Sequence, residues 1–245
     1  MPTREYRWRH LALLISILLL FAVTPFAVTF RHGILILDIA ATTILVAGTY
    51  ALSERKHLFT IAVILSAISI VAAALLLVFP EHWAVLLQHG CVVVLIAFFS
   101  VCILGYVLRS GRVTIDRIFA AVCVYMLIGF AWNFAYALLE EIAPGSFAAL
   151  PEVGRNDDVA RVLRLRYFSF MTLTTVAYGD ILPRSSAART MAVLEAVMGQ
   201  IYLMVLVARL VGLHIVHATG LHSDKDWTRA TVGQPHLWVR LGQGT

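Results

Sequence analysis

The sequence predicts an all-α membrane protein with six transmembrane helices. The chain has 245 residues, of which 60% are hydrophobic and only 13% are charged, and its mean hydropathy is +0.86. A soluble domain of this length cannot bury so much apolar surface, so a lipid bilayer is the expected solvent. The apolar stretches that are long enough to cross it are residues 11–30, 33–52, 58–79, 84–108, 114–139 and 187–213.

Basic residues predict how these helices are oriented. The net charge is +5 and the isoelectric point is near 9.4, but the basic residues flank apolar stretches, so no nucleic-acid partner is expected. Arginine and lysine precede the first stretch, separate the second from the third, and surround the start of the fifth. By the positive-inside rule both termini are cytoplasmic. We expect a multi-pass protein of the plasma (inner) membrane, with the first stretch kept as an uncleaved anchor.

A seventh stretch, residues 162–176, lies between the fifth and sixth and is too short and too polar to cross on its own. Residues 144–161 combine proline, glycine and acidic residues, which indicates an exposed external loop. Within residues 162–176, a helix of about three turns fits residues 164–174 and ends at Thr174. The chain must then return to the same face, because the last stretch begins after Pro183. The predicted fold therefore contains a re-entrant half-helix and an extended return, an arrangement whose helix dipole favours a cation.

The extended return carries the most specific pattern in the chain. Residues 174–180 read TTVAYGD, which resembles the selectivity filter TTVGYGD of the potassium channel family. The stretches "VYMLIGFAWNFAYALLE" and "LEAVMGQIYLMVLVARLVGLH" on either side look like those of bacterial six-span members. The resemblance covers residues 114–213 and implies a homotetrameric pore with a re-entrant pore helix, an extended selectivity filter and passive conduction of potassium.

The resemblance also implies a role for each residue of this segment. Rings of carbonyl oxygens hold the permeant potassium ions, and no other cofactor is expected. The implied partners are further copies of the chain, membrane lipid and potassium ions. The implied ion-binding filter consists of Thr175, Val176, Ala177, Tyr178 and Gly179, with potassium at the first four, and the implied filter supports are Asp180, Tyr167 and Thr174.

Ala177 departs from the family pattern, which has glycine at this position. The resemblance implies a left-handed backbone there, which costs a residue with a Cβ roughly 1–2 kcal/mol, or on the order of 4–8 kcal/mol for four chains. Met171 and Phe168 offer the filter no hydrogen bond, whereas the Tyr167 hydroxyl is able to donate to Asp180. We therefore expect a filter that is less stable or less selective than usual.

Two residues of the last stretch have alternative roles. Glu195 either lines the ion cavity and attracts cations or forms hydrogen bonds behind the short helix, and the second role is favoured. Gly199 is the gating hinge candidate, because the family commonly has a glycine there. Close helix packing explains this glycine equally well.

The sequence contains no pattern for voltage gating or catalysis. Residues 84–108 include no arginine, whereas a voltage sensor needs several charges in that helix. No catalytic constellation is visible, so enzyme activity is not expected. Alternatives to a potassium-selective channel are a weakly selective or non-conducting cation channel, because of Ala177, and a regulatory subunit that co-assembles with conducting relatives. A secondary transporter is disfavoured, because no inverted repeat is visible.

The chain is thus expected to contain four regions. Their order is a cytoplasmic N-terminus, a four-helix transmembrane domain that does not sense voltage, a pore domain and a short cytoplasmic tail without periodicity. The corresponding residues are 1–10, 11–108, 109–213 and 214–245.

Overall fold

The computed structural model describes residues 9–29, 33–53, 55–79, 81–109, 114–150 and 157–232, without the side chains of residues 25–29, 33–40, 157–159, 210 and 212–232. Most of the predicted N-terminal region and the end of the predicted tail lie outside the described residues. Every regular element within these ranges is a helix. The helices are α1 (Arg9–Thr29), α2 (Gly33–Ala51), α3 (Lys56–Val78), α4 (His82–Val107), α5 (Ile115–Ile142), α6 (Asp157–Leu173) and α7 (Ser186–Val232).

Four of these helices are long and apolar enough to cross a membrane. α3, α4 and α5 qualify over 23, 26 and 28 residues, and α7 qualifies over Ser186–Arg209. In α1 and α2 the described side chains support shorter apolar segments, Arg9–Thr24 and Ala41–Ala51. The predicted all-helical, multi-pass membrane protein is confirmed at this level, and the crossing by all six stretches stays a prediction.

The predicted start of the short helix is wrong. α6 begins at Asp157, inside the loop predicted for residues 144–161, and is longer than the expected three turns. The sequence opens this helix with two aspartates, which suit the positive end of a helix dipole. Acidic residues that indicate a loop by their polarity therefore serve here to start a helix.

The last helix is longer than the apolar stretch that predicts it. α7 continues to Val232, well beyond residue 213. The sequence has no proline between Pro183 and Pro235, so nothing interrupts the backbone hydrogen bonds of the helix. The chain divides into two compact units, Met1–Leu203 and Met204–Thr245, and all contacts described below lie within the first.

α5 is the helix on which the first unit is built, since it contacts α1, α4 and α6. The ring of Phe170, in α6, lies 5.5 Å from Phe130 of α5 and 4.9 Å from Phe21 of α1. Gly129 makes room for it, because a Cβ at this position would lie 2.7 Å from the Phe170 ring. Small residues allow close helix approach in a membrane, where apolar burial gives little driving force.

A compact turn joins the end of α5 to the chain that returns from α6. The buried carboxylate of Glu140 accepts hydrogen bonds from the backbone amides of Gly145, at 2.7 Å, and Phe147, at 3.2 Å. The Ala148 amide then donates to the carbonyl of Leu182, at 2.8 Å. The chain therefore leaves α5 and comes back beside it after passing through α6.

Replacing Glu140 tests the importance of this turn. We expect Glu140→Ala to destabilise the protein by about 1–3 kcal/mol, because the buried amide of Phe147 loses its acceptor. Glu140→Gln retains one carbonyl oxygen and should lose less. Thermal unfolding of the purified protein measures both effects, and equal midpoints for the alanine and glutamine variants would contradict the capping role.

Candidate functional site

Residues 174–180, called the carbonyl strip below, continue from the last turn of α6. The amides of Val176 and Ala177 both donate to the carbonyl oxygen of Met171, at 2.9 and 3.2 Å. The two preceding amides also donate to carbonyls of the same helix end. The N–H groups of the first half of the strip therefore point back to α6, and they satisfy carbonyl groups that a helix end leaves unpaired.

Every second residue of the carbonyl strip has a left-handed backbone. The angle φ is 58° at Thr175, 44° at Ala177 and 80° at Gly179, whereas it is negative at Val176 and Tyr178. Alternating handedness directs successive N–H groups to one side and carbonyl groups to the other. Among the described residues no donor reaches the five carbonyl oxygens of these residues, and all five residues are exposed in the single chain. The strip thus presents a row of oxygen atoms suited to a cation.

Two residues adopt this backbone although they carry a Cβ. Ala177 has the left-handed conformation that the family resemblance implies, at a cost of roughly 1–2 kcal/mol. Thr175 has it as well, and for a β-branched residue this conformation is a genuine outlier. The Thr175 hydroxyl donates to the carbonyl of Thr174, at 2.7 Å, and accepts from Nε2 of Gln200, at 3.3 Å. These two bonds help to hold the strained residue.

The outer half of the carbonyl strip rests on Tyr167. The rings of Tyr167 and Tyr178 are stacked, with 6.5 Å between centroids and 6° between planes. Desolvation, and after it a hydrogen bond to the Asp180 carboxylate, raise the pKa of the Tyr167 hydroxyl. Phe168 packs instead against Tyr136, with 5.2 Å between centroids.

Behind α6, the fully buried carboxyl group of Glu195 joins three helices. It accepts a hydrogen bond from the hydroxyl of Tyr136, in α5, at 2.5 Å, and its other oxygen lies 2.5 Å from the hydroxyl of Ser169, in α6. The Ser169 hydroxyl also lies 2.8 Å from the carbonyl oxygen of Gly129. Ser169 has one proton for two acceptors, so a carboxyl proton completes this set of bonds. These contacts are those expected for the hydrogen-bonding role of Glu195, behind the short helix, and a role in attracting cations stays a prediction.

Gly199 lies where α7 meets the end of α6. A Cβ built on Gly199 would overlap the carbonyl oxygen of Leu173. That oxygen also accepts a hydrogen bond from the Tyr125 hydroxyl, at 3.2 Å. Close packing therefore requires a glycine here, and the role of Gly199 as a gating hinge stays a prediction.

Sequence reasoning missed the side chains that support the carbonyl strip from behind. Tyr136 and Gln200 carry polar groups that reach the site, and Tyr125 reaches the carbonyl at the end of α6. The available signal was chemical, because a buried carboxyl in an apolar helix requires hydrogen-bond donors. That rule predicts that Glu195 has hydrogen-bond partners, but it does not predict which residues of the chain they are.

The region of the site matches known proteins. The family model described as "Ion channel" matches residues 148–214, which include α6, the carbonyl strip and the first part of α7. Protein LctB from Bacillus caldotenax is 33% identical over 104 residues, which are 42% of this chain and 75% of that protein. No solved structure matches the chain.

An alanine at position 199 tests the close contact of α7 with α6. We expect Gly199→Ala to destabilise the protein by about 1–3 kcal/mol, because the new methyl group would push against a backbone carbonyl. Gly90→Ala is the matched control, since no atom lies within 4 Å of a Cβ at Gly90. Thermal unfolding compares the two, and an equal midpoint for both variants would rule out the packing role.

Substitution of Glu195 separates its two roles. We expect Glu195→Gln to be tolerated, because an amide accepts from Tyr136 and donates to Ser169. Glu195→Leu should cost about 1–3 kcal/mol, because the buried Tyr136 hydroxyl loses its partner. The readouts are thermal unfolding and cation flux in liposomes. Loss of flux in the stable glutamine variant would instead favour a charged residue that attracts cations.

Proposed function

The chain belongs to the ion channel family, and from that premise we propose that copies of it form a pore through which potassium ions pass passively. The observation that carries this proposal is the carbonyl strip, whose backbone handedness alternates from Thr175 to Gly179. In potassium channel filters, rings of backbone carbonyls replace the hydration shell of the ion. In the proposed pore the ions bind in succession at Thr175, Val176, Ala177 and Tyr178.

The proposed pore is a homotetramer. One chain offers a single carbonyl oxygen at each level of the strip, which is too few to replace the water around a cation, so several copies must converge on an axis. The exposure of apolar and aromatic side chains supports this arrangement. In the single chain Tyr178 of the strip is 71% exposed, and Val193 of α7 is 62% exposed. In the tetramer such surfaces face neighbouring copies and membrane lipid.

In this proposal α6 is a re-entrant helix and the strip is the selectivity filter. Two contacts support it. The backbone hydrogen bond of Ala148 with Leu182 returns the chain to the end of α5. The packing of Leu173 on Gly199 places the C-terminal end of α6 against the middle of the apolar part of α7. The negative end of the α6 dipole then lies next to the ion path. Both termini are cytoplasmic, in the plasma (inner) membrane.

The proposed pore is not gated by voltage. α4, over His82–Val107, contains no arginine or lysine, and a voltage sensor moves such charges through the membrane field. The membrane potential therefore has no basic side chain to move in α4, the helix that corresponds to a voltage sensor.

A weakly selective or non-conducting pore is the second candidate function, and the backbone of Ala177 favours it. Its φ of 44° strains the filter at an ion-binding level, and four copies multiply the cost. A regulatory subunit that co-assembles with conducting relatives is the variant of this candidate in which the homotetramer carries no ions.

Flux of potassium and sodium into liposomes tests both candidates. The proteins compared are the natural sequence, Ala177→Gly and a control, Ala187→Gly, which makes the same change on the exposed first turn of α7. We expect potassium flux from the natural protein. We expect Ala177→Gly to raise the potassium-to-sodium ratio by about fivefold, equivalent to about 1 kcal/mol of relieved strain, and Ala187→Gly to leave it unchanged.

Two other flux results would decide between the candidate functions. Flux in Ala177→Gly alone would establish the pore and identify Ala177 as the cause of a silent filter. Absence of flux from all three proteins, with no stabilisation of the purified protein by potassium, would contradict the channel proposal and favour a regulatory subunit.

A further inference from the structure

A cavity of about 270 Å³ lies far from the carbonyl strip, at the end of the helices where α5 begins. It is formed by the start of α1, the end of α2, the start of α3, the end of α4 and the start of α5. Its volume is just below the roughly 300–1,000 Å³ that is usual for small-ligand sites. Its lining includes Arg9, Arg55, Arg109, Asp116, Leu58 and Val101.

Positive charge dominates this cavity. Three arginines line it, Arg9, Arg55 and Arg109, against one carboxylate, Asp116. Arg55 and Arg109 are exposed at the rim, and Arg9 is half-buried. The exposed arginines, Arg55 and Arg109, are therefore placed to meet a ligand that enters from outside, and guanidinium binds phosphate through paired hydrogen bonds.

The one carboxylate of the cavity is already engaged. Oδ2 of Asp116 lies 2.7 Å from Nδ1 of His10 and accepts a hydrogen bond from the Tyr106 hydroxyl, at 3.0 Å. The His10 ring is stacked on Tyr106, with 4.8 Å between centroids. His10 and Asp116 are buried and Tyr106 is half-buried. The carboxylate is therefore held in the wall by two hydrogen-bond partners, and the arginines are the dominant charge of the cavity.

The remaining wall is apolar and continues onto an exposed helix face. Leu58 of α3 and Val101 of α4 both line the cavity, and Val101 is 68% exposed. Both helices are long and apolar enough to cross a membrane. A ligand with an anionic head and an apolar tail would therefore find both parts of its surface matched at this place.

We propose that this cavity is a binding site for a phosphate group, with the apolar wall favouring a phosphate carried by an anionic phospholipid. Arginine at the end of a membrane helix, beside exposed apolar surface, is the arrangement that anionic lipid headgroups bind. The proposal does not depend on conduction, because the cavity and the carbonyl strip share no residue.

The test uses the full-length protein in phosphatidylcholine nanodiscs, with phosphatidylglycerol added to one series and inorganic phosphate to another. The thermal unfolding midpoint is followed as each probe is titrated. Arg55→Gln removes a rim charge, and Lys56→Gln is the matched control, because Lys56 is the next residue, is exposed and does not line the cavity. Arg109→Gln, at the other exposed arginine of the cavity, is a second variant, used if Arg55→Gln does not fold.

We expect phosphatidylglycerol to stabilise the natural protein and Lys56→Gln alike. In Arg55→Gln the apparent affinity should be about fivefold weaker, the equivalent of about 1 kcal/mol for one arginine near the surface. The same difference between variants with inorganic phosphate would support the phosphate site with a free anion as its source. Equal titration curves for Arg55→Gln and Lys56→Gln with both probes would overturn the proposal, since only general surface charge would then be acting.

Discussion

The carboxyl group of Glu195 is the point at which the three helices of the site are joined. It belongs to α7, and it forms hydrogen bonds with the Tyr136 hydroxyl of α5 and the Ser169 hydroxyl of α6. In apolar surroundings no water competes for these bonds, so they are strong and their loss is costly. These bonds help to fix the position of α6, and through it the position of the carbonyl strip.

The carbonyl strip is strained, and it is held because both of its ends are fixed. At the inner end, two amides donate to the carbonyl of Met171, and at the outer end Leu182 pairs with Ala148. Left-handed residues such as Thr175 and Ala177 persist only where the surrounding structure determines their conformation. The carbonyl oxygens thus face outwards because the N–H groups on the opposite side of the same backbone are held by hydrogen bonds.

The membrane fold and the family were open to prediction from the sequence because both rest on local properties. Apolar length predicts spanning helices, and residues 174–180, which carry the resemblance, lie inside the region that matches the ion channel family model. The left-handed backbone at Ala177 followed from the same short pattern. Local chemistry was sufficient for these features.

The supports of the site were not predictable in the same way. Tyr136 is 59 residues from Glu195 in the chain, and α5 is apolar over most of its surface, so periodicity does not show which face meets α7. The start of α6 was misjudged because acidic residues suit both a loop and a helix N-terminus. In each case the outcome depends on packing between helices, which the pattern of one segment does not contain.

The contact of Gly199 with Leu173 has a mechanical consequence. Two backbones touch there with no side chain between them, and the residue on the α6 side directly precedes the carbonyl strip. Side chains absorb small displacements by changing rotamer, whereas a helix backbone at its end has far less freedom of this kind. A displacement of α7 at Gly199 is therefore expected to displace the start of the carbonyl strip as well, so that the two segments move together.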